Sequence, residues 1–375
     1  MGSALVLLDA TAIPEDRGGV GRYVEELAAH LDGRLAIAVQ AHDAERFASI
    51  APDASIHPQS PRIRSTVRRL LWEQTGLPRL ANRIGADVIH SPHYTLPLAW
   101  RGRRVVTFHD ATFFSDGDVH SRVKGVFFRA WSRISSRLAD AVVVPSRATA
   151  AEFARYLRRT ADDFDVAHHG VDTTEFKPQE PALVREVASR VGIGKRRWIA
   201  FLGTIEPRKN VPALVRGYAV AASRIPDPPV LVLAGGQGWE TGLDDALLEV
   251  HPPAEVLRPG FVDAGALPAL LSGSEIVAYP SLGEGFGLPV LEAMACGAPV
   301  MTTRRLALPE VGGDAVEYTE VDSDSIAVTI GRLLGDPGRR AALSAAGKER
   351  AEEFSWAASA RVHRRVYDRT AEGDR

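Results

Sequence analysis

The sequence predicts an α/β protein built as two doubly wound halves, and three observations carry that reading. Short β-branched runs alternate with stretches of helical spacing along the chain, as in parallel strands joined by crossover helices. The 375 residues exceed what one hydrophobic core ordinarily covers, so two units of similar weight are expected, with a cleft between them available to a ligand. The alternation also breaks once, at TTEFKPQEPA over 173–182, where two prolines and a cluster of charge interrupt it.

Taken in order, the first half offers strands near 4–8 (ALVLL), 35–39 (LAIAV), 87–90 (DVIH), 104–108 (RVVTF) and 140–144 (DAVVV). Helices are expected near 20–31, 65–84 and 120–138. The second half repeats the scheme with strands near 197–202, 229–234, 256–258, 275–279, 299–303 and 315–318. Its helices are expected near 209–224, 263–272, 286–296 and 322–353, each following its strand closely as βαβ units require. A last helix, FSWAASARVHRRVYDRTA, carries Trp356, Val362 and Tyr367, apolar side chains that need a surface to cover them.

Composition removes several classes of function. A formal net charge of -2 gives none of the basic field that a nucleic-acid binder uses. The single cysteine, Cys296, rules out an internal disulfide framework and a cysteine-cluster metal site, and fits a reducing, cytoplasmic setting. The N-terminal MGSALVLLDATAIP has too short an apolar run, and no basic start, to read as a signal peptide. No stretch approaches a membrane span, so membrane contact would be peripheral.

Four segments carry chemistry. Glu284 and Glu292 lie eight residues apart in EGFGLPVLE, one in a glycine-rich loop and one two turns into the helix after it. Both can face a ligand at the carboxyl end of a parallel strand, where carboxylates accept hydrogen bonds from vicinal hydroxyls. The amides near Gly287 and Leu288 open that helix and suit a diphosphate. The plainer alternative is a capped turn with a second acid on a solvated face. Arg208 and Lys209, in FLGTIEPRKN, bring a planar fork and a point charge to a strand-to-helix turn, where they could neutralise a departing diphosphate. A solvated basic pair beside Glu206 is the plainer alternative. DRGGVGRY, with Gly19, follows the first strand. It matches neither G-x-G-x-x-G nor a P-loop, and it serves either as a phosphate-facing loop or as a tight turn. His109 ends the strand at 104–108 and could bond a sugar hydroxyl. His90 and His93 end the preceding strand, in a spacing that lacks a zinc signature.

Together these segments resemble glycosyltransferase family 4, retaining enzymes of the GT-B architecture with two Rossmann-like domains facing a central cleft. The resemblance runs through GGVGRY, LLWEQTGLPRLA, HSPHYTLP, TFHDATFF, VVVPSRATAAEF, HHGVDTTEF, FLGTIEPRKN, LAGGQGWE, RPGFV, YPSLGEGFGLPVLEAMACGAPV and FSWAASA. The E-x7-E block is the most specific of them. The family divides the chain into an acceptor-binding domain over 1–176, a nucleotide-sugar-binding domain over 177–355, and a helix over 356–375 that crosses back to the first. It implies that Glu284 meets the transferred sugar, Glu292 the ribose, Arg208 and Lys209 the diphosphate, Gly19 the phosphates, and the backbone of Phe261 and Val262 the base. His109 would sit beside the sugar and the reacting centre.

Two departures stand out. Thr204 occupies a position where many relatives carry arginine, and the role passes to Arg208; His169 stands where asparagine is frequent and receives none. The implied activity is hexosyl transfer with retention, without metal or cofactor. The donor suggested by EPRKN is GDP-mannose, with a UDP-sugar as the alternative. The acceptor would be a glycan or a polyprenyl- or other lipid-linked glycan, with peripheral contact at the inner membrane face. For that contact the basic residues Arg62, Arg64, Arg68 and Arg69, and Arg122, Lys124, Arg129, Arg133 and Arg137 beside Phe127, Phe128 and Trp131, form one candidate face. Solvated arginines around core aromatics are the alternative. The rival functions are a GT-B epimerase or hydrolase, a pyridoxal-phosphate-dependent phosphorylase, and an inactive nucleotide-sugar-binding protein.

Overall fold

The computed structural model describes residues 3–13, 17–115 and 122–373. Asp16 of the glycine-rich loop and residues 120–121, where a helix is expected to begin, lie outside the described residues, as do the side chains of Arg122 and Lys124. The chain divides into two compact units, 1–170 with 355–375, and 171–354. The division falls at 170/171 and not at 176/177 because Val171 and Phe176 pack into the core of the second unit. The Val171 amide also donates to the Phe354 carbonyl, 3.1 Å, so the proline-bearing strap belongs to that unit.

The N-terminal unit runs β1 (Val6–Asp9), α1 (Gly18–His30), β2 (Leu35–Gln40), α2 (Ala44–Ile50), β3 (Ser55–Gln59), α3 (Thr66–Ile84), β4 (Val88–Ser91), β5 (Arg103–Thr107), α4 (Thr112–Ser115), α5 (Arg122–Leu138), β6 (Ala141–Val144), α6 (Arg147–Tyr156) and β7 (Asp165–Val166). Its strands are parallel in the order β3-β2-β1-β4-β5-β6-β7. Strands covered on both faces read as unbroken apolar runs, and β1 and β6 are buried at every position. β3, SIHPQ, was not anticipated. Its Pro58 cannot donate to a ladder and is tolerated because β3 is an edge strand. The strand order reverses between β1 and β4, which makes their carboxyl ends the switch point at which such sheets bind ligands.

The second unit runs α7 (Pro181–Arg190), β8 (Trp198–Leu202), α8 (Val211–Ala222), β9 (Val230–Ala234), α9 (Leu243–Leu248), β10 (Val256–Gly260), α10 (Leu267–Ser272), β11 (Ile276–Tyr279), α11 (Leu288–Ala295), β12 (Val300–Thr303), α12 (Leu308–Gly312), β13 (Glu317–Thr319), α13 (Ser323–Gly335) and α14 (Pro337–Glu352). Its parallel sheet has the order β10-β9-β8-β11-β12-β13, with the switch point between β8 and β11. The single helix expected over 322–353 is two helices. Pro337 keeps Asp336 out of the helical region, at φ -123° and ψ 86°, and the Asp336 carboxylate caps α14 by accepting from the Arg339 amide, 2.8 Å. At the strand ends, a Cβ on Gly235 would come within 2.0 Å of the Gly203 carbonyl oxygen. Only glycine lets the turns after β8 and β9 approach this closely.

The last helix, α15 (Trp356–Glu372), belongs to the N-terminal unit. Trp356 and Tyr367 are buried in it, but Val362 is only partly covered, and His363 and Val366 fill the inward face instead.

Candidate active site

In the second unit the chain leaves β8 at Leu202, makes a 3-10 turn over Pro207–Lys209, and enters α8 through Asn210, which caps it in a left-handed conformation at φ 58°. Asparagine tolerates that region better than most residues. Its side chain anchors the turn by donating to the Val321 carbonyl, 2.8 Å. The Arg208 carbonyl accepts from the Leu282 amide at 2.8 Å. The loops after β8 and β11, the two strands at the switch point, are therefore locked together through backbone groups.

Into this frame project Arg208, Lys209 and Glu284. One Glu284 oxygen accepts from the Lys209 ammonium at 2.7 Å, the Tyr279 hydroxyl at 2.9 Å and the Ser281 hydroxyl at 2.7 Å. The other accepts from the Arg208 guanidinium, which also donates to Glu206 at 2.7 Å and to the Gly283 carbonyl at 2.8 Å. Lys209 donates to the Tyr279 hydroxyl as well and lies 4.9 Å from the centre of its ring. Lys209 and Glu284 are buried, and burial alone would neutralise both. For Glu284, burial pushes the pKa up, but the charges of Arg208 and Lys209 outweigh it and hold the carboxyl down to about 2. For Lys209, burial and the neighbouring Arg208 lower the pKa against the pull of Glu284 and Glu206. The cluster carries two cations and two carboxylates, preorganised in a low-dielectric setting where new negative charge is strongly felt.

Three further residues from the sequence reading lie in this unit. Glu292 is buried within α11, and after burial itself its charge is the next cause that raises the Cys296 thiol to about 12. Gly287 caps α11 at φ 108°, a conformation that favours glycine, and Leu288 is the first helical residue. At the carboxyl end of β10, Phe261 is exposed and Val262 is buried. Sequence reasoning missed Tyr279 and Ser281. Their signal was positional, since the last residue of a strand and a loop hydroxyl three residues before Glu284 can both reach its carboxylate.

In the N-terminal unit, Gly19 lies in the exposed first turn of α1. His109 follows β5 and its Nε2 lies 2.7 Å from the Pro92 carbonyl. A carbonyl only accepts, so Nε2 carries the proton and Nδ1 keeps its lone pair. Burial lowers the His109 pKa, which leaves the ring neutral. Around it stand Tyr23, His93 and His169, with ring centres 5.1, 6.1 and 6.1 Å away.

Behind these rings runs a buried chain of hydrogen bonds that the sequence reading did not foresee. His363 Nδ1 must donate to the Ser359 carbonyl, 2.8 Å, so His363 Nε2 accepts from the Tyr23 hydroxyl, 2.7 Å. The Tyr23 oxygen then accepts from Thr107, 2.9 Å, Thr107 accepts from His90 Nε2, 2.8 Å, and His90 Nδ1 accepts from Tyr367, 2.7 Å. Each proton position follows from the one before it, with both histidines neutral. Burial and neighbouring histidines lower the pKa of His90, and burial, with a smaller contribution from His109, lowers that of His363 to about 4. Spacing was the available signal, because His363 and Tyr367 lie four apart on one face of α15.

A third cluster sits at the β1–β4 switch point. Glu73 of α3 is buried and accepts from Thr95 at 2.8 Å and from Arg69 at 3.2 Å. Burial and the charge of Asp9, the last residue of β1, raise its carboxyl to about 7. Arg69 is thus an interior partner of Glu73 and no part of the basic face expected on α3. Of the aromatic residues of α5, Phe128 packs inward and stacks on Phe113 at 4.4 Å. Among the described residues, no group of three histidine, cysteine or acidic side chains is arranged to hold a metal ion, and no helix is long and apolar enough to cross a membrane.

Two doubly wound parallel sheets define the class of fold, the GT-B architecture. Among solved structures, Anabaena Alr3699/HepE in complex with UDP-glucose shares the fold with a TM-score of 0.75, covering 97% of this chain and 99% of its own at 16% identity. The family follows from sequence. Residues 186–350 match the pattern described as glycosyl transferases group 1, and residues 17–175 that of glycosyltransferase family 4. O-antigen chain mannosyltransferase B of Escherichia coli is 31% identical over 271 residues, which are 72% of this chain and 71% of that one. The GDP-mannose-dependent alpha-(1-6)-phosphatidylinositol monomannoside mannosyltransferase of Mycolicibacterium smegmatis is 29% identical over 94% of this chain and 96% of its own. The chain belongs to glycosyltransferase family 4 and is a hexosyltransferase that uses a nucleotide sugar.

Proposed function

We propose that this enzyme transfers mannose from GDP-mannose to a glycan or lipid-linked glycan, with retention of configuration and without a metal ion. The observation that carries the reading is the Arg208–Lys209–Glu284 cluster at the β8–β11 switch point. It supplies, from side chains alone, the positive charge that a departing diphosphate requires. The two mannosyltransferases similar in sequence support mannose over glucose, and the one named as GDP-mannose-dependent supports the guanine base.

In the proposed step, the bond from the anomeric carbon to the diphosphate oxygen breaks as the acceptor hydroxyl approaches on the same face. The acceptor's proton passes to the departing oxygen, and Arg208 and Lys209 disperse the charge that remains on the nucleoside diphosphate. Glu284 holds both cations in place and, with one of its lone pairs, takes a hydroxyl of the transferred sugar. The α11 start at Gly287 and Leu288 and the Gly19 turn offer amides to the phosphates, Glu292 takes the ribose, and the backbone at Phe261 and Val262 meets the base. His109 offers its Nδ1 lone pair to a sugar hydroxyl. The N-terminal unit makes peripheral contact with a membrane surface.

The test is a thermal-shift series with GDP, UDP, ADP and dTDP, each with and without EDTA, since a ligand that binds only the folded state raises the melting temperature by mass action. GDP should stabilise the protein equally in both conditions. Stabilisation by UDP alone overturns the donor, and a shift abolished by EDTA overturns the metal-free reading.

A further inference from the structure

Among the described residues, three that are not glycine have a left-handed backbone: Tyr94, Asn210 and Leu306, at φ 57°, 58° and 48°. The first two are tied down by their polar side chains. The Tyr94 hydroxyl exchanges hydrogen bonds with the Asp110 backbone at 3.0 and 2.9 Å, and the Asn210 amide donates to Val321. Leucine has no polar group to hold it, and in this conformation its Cβ crowds the following carbonyl oxygen. Strain of this kind persists only where the surroundings enforce it, and it gathers at functional sites.

Leu306 stands in the loop after β12, in a turn closed by the Leu308 amide donating to the Arg305 carbonyl, 3.1 Å. With φ 48° at its first central residue and -79° at its second, Ala307, the turn has the type II′ signs, for which glycine is the usual first residue. Leu306 is half-buried and takes no part in the hydrophobic core that Leu308 joins, so core packing does not account for a leucine here. Its contacts do. A Cβ on Gly283 would come within 2.7 Å of Leu306 Cδ1, and one on Gly287 within 3.0 Å of Leu308 Cδ2. Between them the Ala307 amide donates to the Glu284 carbonyl, 3.3 Å, and the Thr303 hydroxyl ties the end of β12 to the Ser281 carbonyl, 2.7 Å. The turn is a plate laid against the loop over 283–287, with one leucine pressed on each of its outer glycines. Gly283 is also the residue whose carbonyl accepts from the Arg208 guanidinium, 2.8 Å, and a glycine without such support has many conformations open to it.

We infer that Leu306 is a positioning residue: by pressing on Gly283 it fixes the peptide whose carbonyl, together with the Glu284 carboxylate, aims Arg208 at the diphosphate. The inference rests on the role of Arg208 proposed above. Glycine at 306 would relax the turn but lose the grip.

The test is calorimetric titration of the full chain with GDP and with GMP, or with UDP and UMP if the base proves to be uracil. The ratio of the two affinities reports on the terminal phosphate alone. Arg208→Ala should lower that ratio by about 30-fold, as loss of one charge-assisted hydrogen bond does. Leu306→Ala and Leu306→Gly should each lower it roughly 5-fold, part of the same interaction, with monophosphate affinity within about two-fold of wild type. Leu306→Met keeps the apolar reach and should retain the wild-type ratio. Leu306→Gly, free of the left-handed Cβ, should melt no lower than wild type. In the Arg208→Ala background, Leu306→Ala should lower the ratio no further, because the two residues act as one unit. An unchanged ratio in Leu306→Ala, equal losses of diphosphate and monophosphate affinity, or a further fall on top of Arg208→Ala overturns the inference. An unchanged ratio in Arg208→Ala instead overturns the role of Arg208 itself, which separates failure of the transferase reading from failure here.

Discussion

The two units of this enzyme solve the same problem, polar groups buried at the carboxyl ends of a parallel sheet, in opposite ways. The second unit uses charge. Glu284 is held ionised by Arg208 and Lys209, and Arg208 also pairs with Glu206, all within hydrogen-bond range. Around His109 the N-terminal unit uses neutrality. His90, His93, His109, His169 and His363 all have lowered pKa values, and the chain from Tyr367 to Ser359 satisfies its members without a formal charge. A charged cluster is suited to stabilising charge that develops during a reaction, whereas a neutral one fixes geometry. On the function proposed above, leaving-group chemistry falls to the second unit and positioning to the first.

The comparison can be broken most sharply at Glu284. Glu284→Ala leaves the buried Lys209 without its carboxylate beside Arg208, and loss of one partner from a buried pair costs about 3–5 kcal/mol; calorimetry should show the unfolding of residues 171–354 at a lower temperature, and an unchanged transition would refute the clamp. Next in size is Lys209→Ala, expected to lower kcat by about 100-fold with a much smaller change in KM, as removal of one preorganised donor does. An unchanged kcat would remove Lys209 from the reaction.

A pH series separates the units. A buried histidine with a lowered pKa contributes stability that is present above the ordinary value near 6.5 and is lost as pH falls toward the folded value, about 4 for His363 and about 3 for His93. The contribution of Glu284 is present above 4.5 and lost only as pH falls through about 2. Hydrogen exchange at pH 5 should therefore loosen the N-terminal unit first. Glu73 acts with the opposite sign: its raised pKa gives stability that is complete below 4.5 and lost as pH rises through about 7. Glu73→Gln should accordingly flatten the stability profile between pH 4.5 and about 7, and simultaneous loosening of both units at pH 5 would erase the contrast. The smallest expected effect is Tyr367→Phe. Removing one donor from the neutral chain should cost about 1 kcal/mol in melting of the N-terminal unit, with nucleotide binding unchanged.

The sequence was most legible where chemistry and chain direction coincide. The buried strands announced themselves by unbroken apolar runs, and Arg208, Lys209 and Glu284 by standing in loops that follow such strands. β3 escaped notice because an edge strand can carry Ser55, His57 and Pro58, and the break at Pro337 was masked by helical spacing on both sides of it. Tyr279 and Ser281 were hidden by their ordinariness, since a tyrosine ending a strand and a serine in a loop acquire meaning only from the carboxylate they reach. The pairing of Tyr23 with His363 spans 340 residues, a separation at which no local pattern carries information.

That separation bears on how the polypeptide is made. The N-terminal unit is the first to leave the ribosome and the last to be complete, because Ser359, His363 and Tyr367 are synthesised only after all of residues 171–354. Until then Tyr23, Thr107 and His90 must meet water or one another, while the contiguous second unit already has every residue of its core. Domains generally fold as units in the order they emerge; here the order of emergence and the order of completion are reversed, and the nascent first half is the one that a chaperone would have to hold.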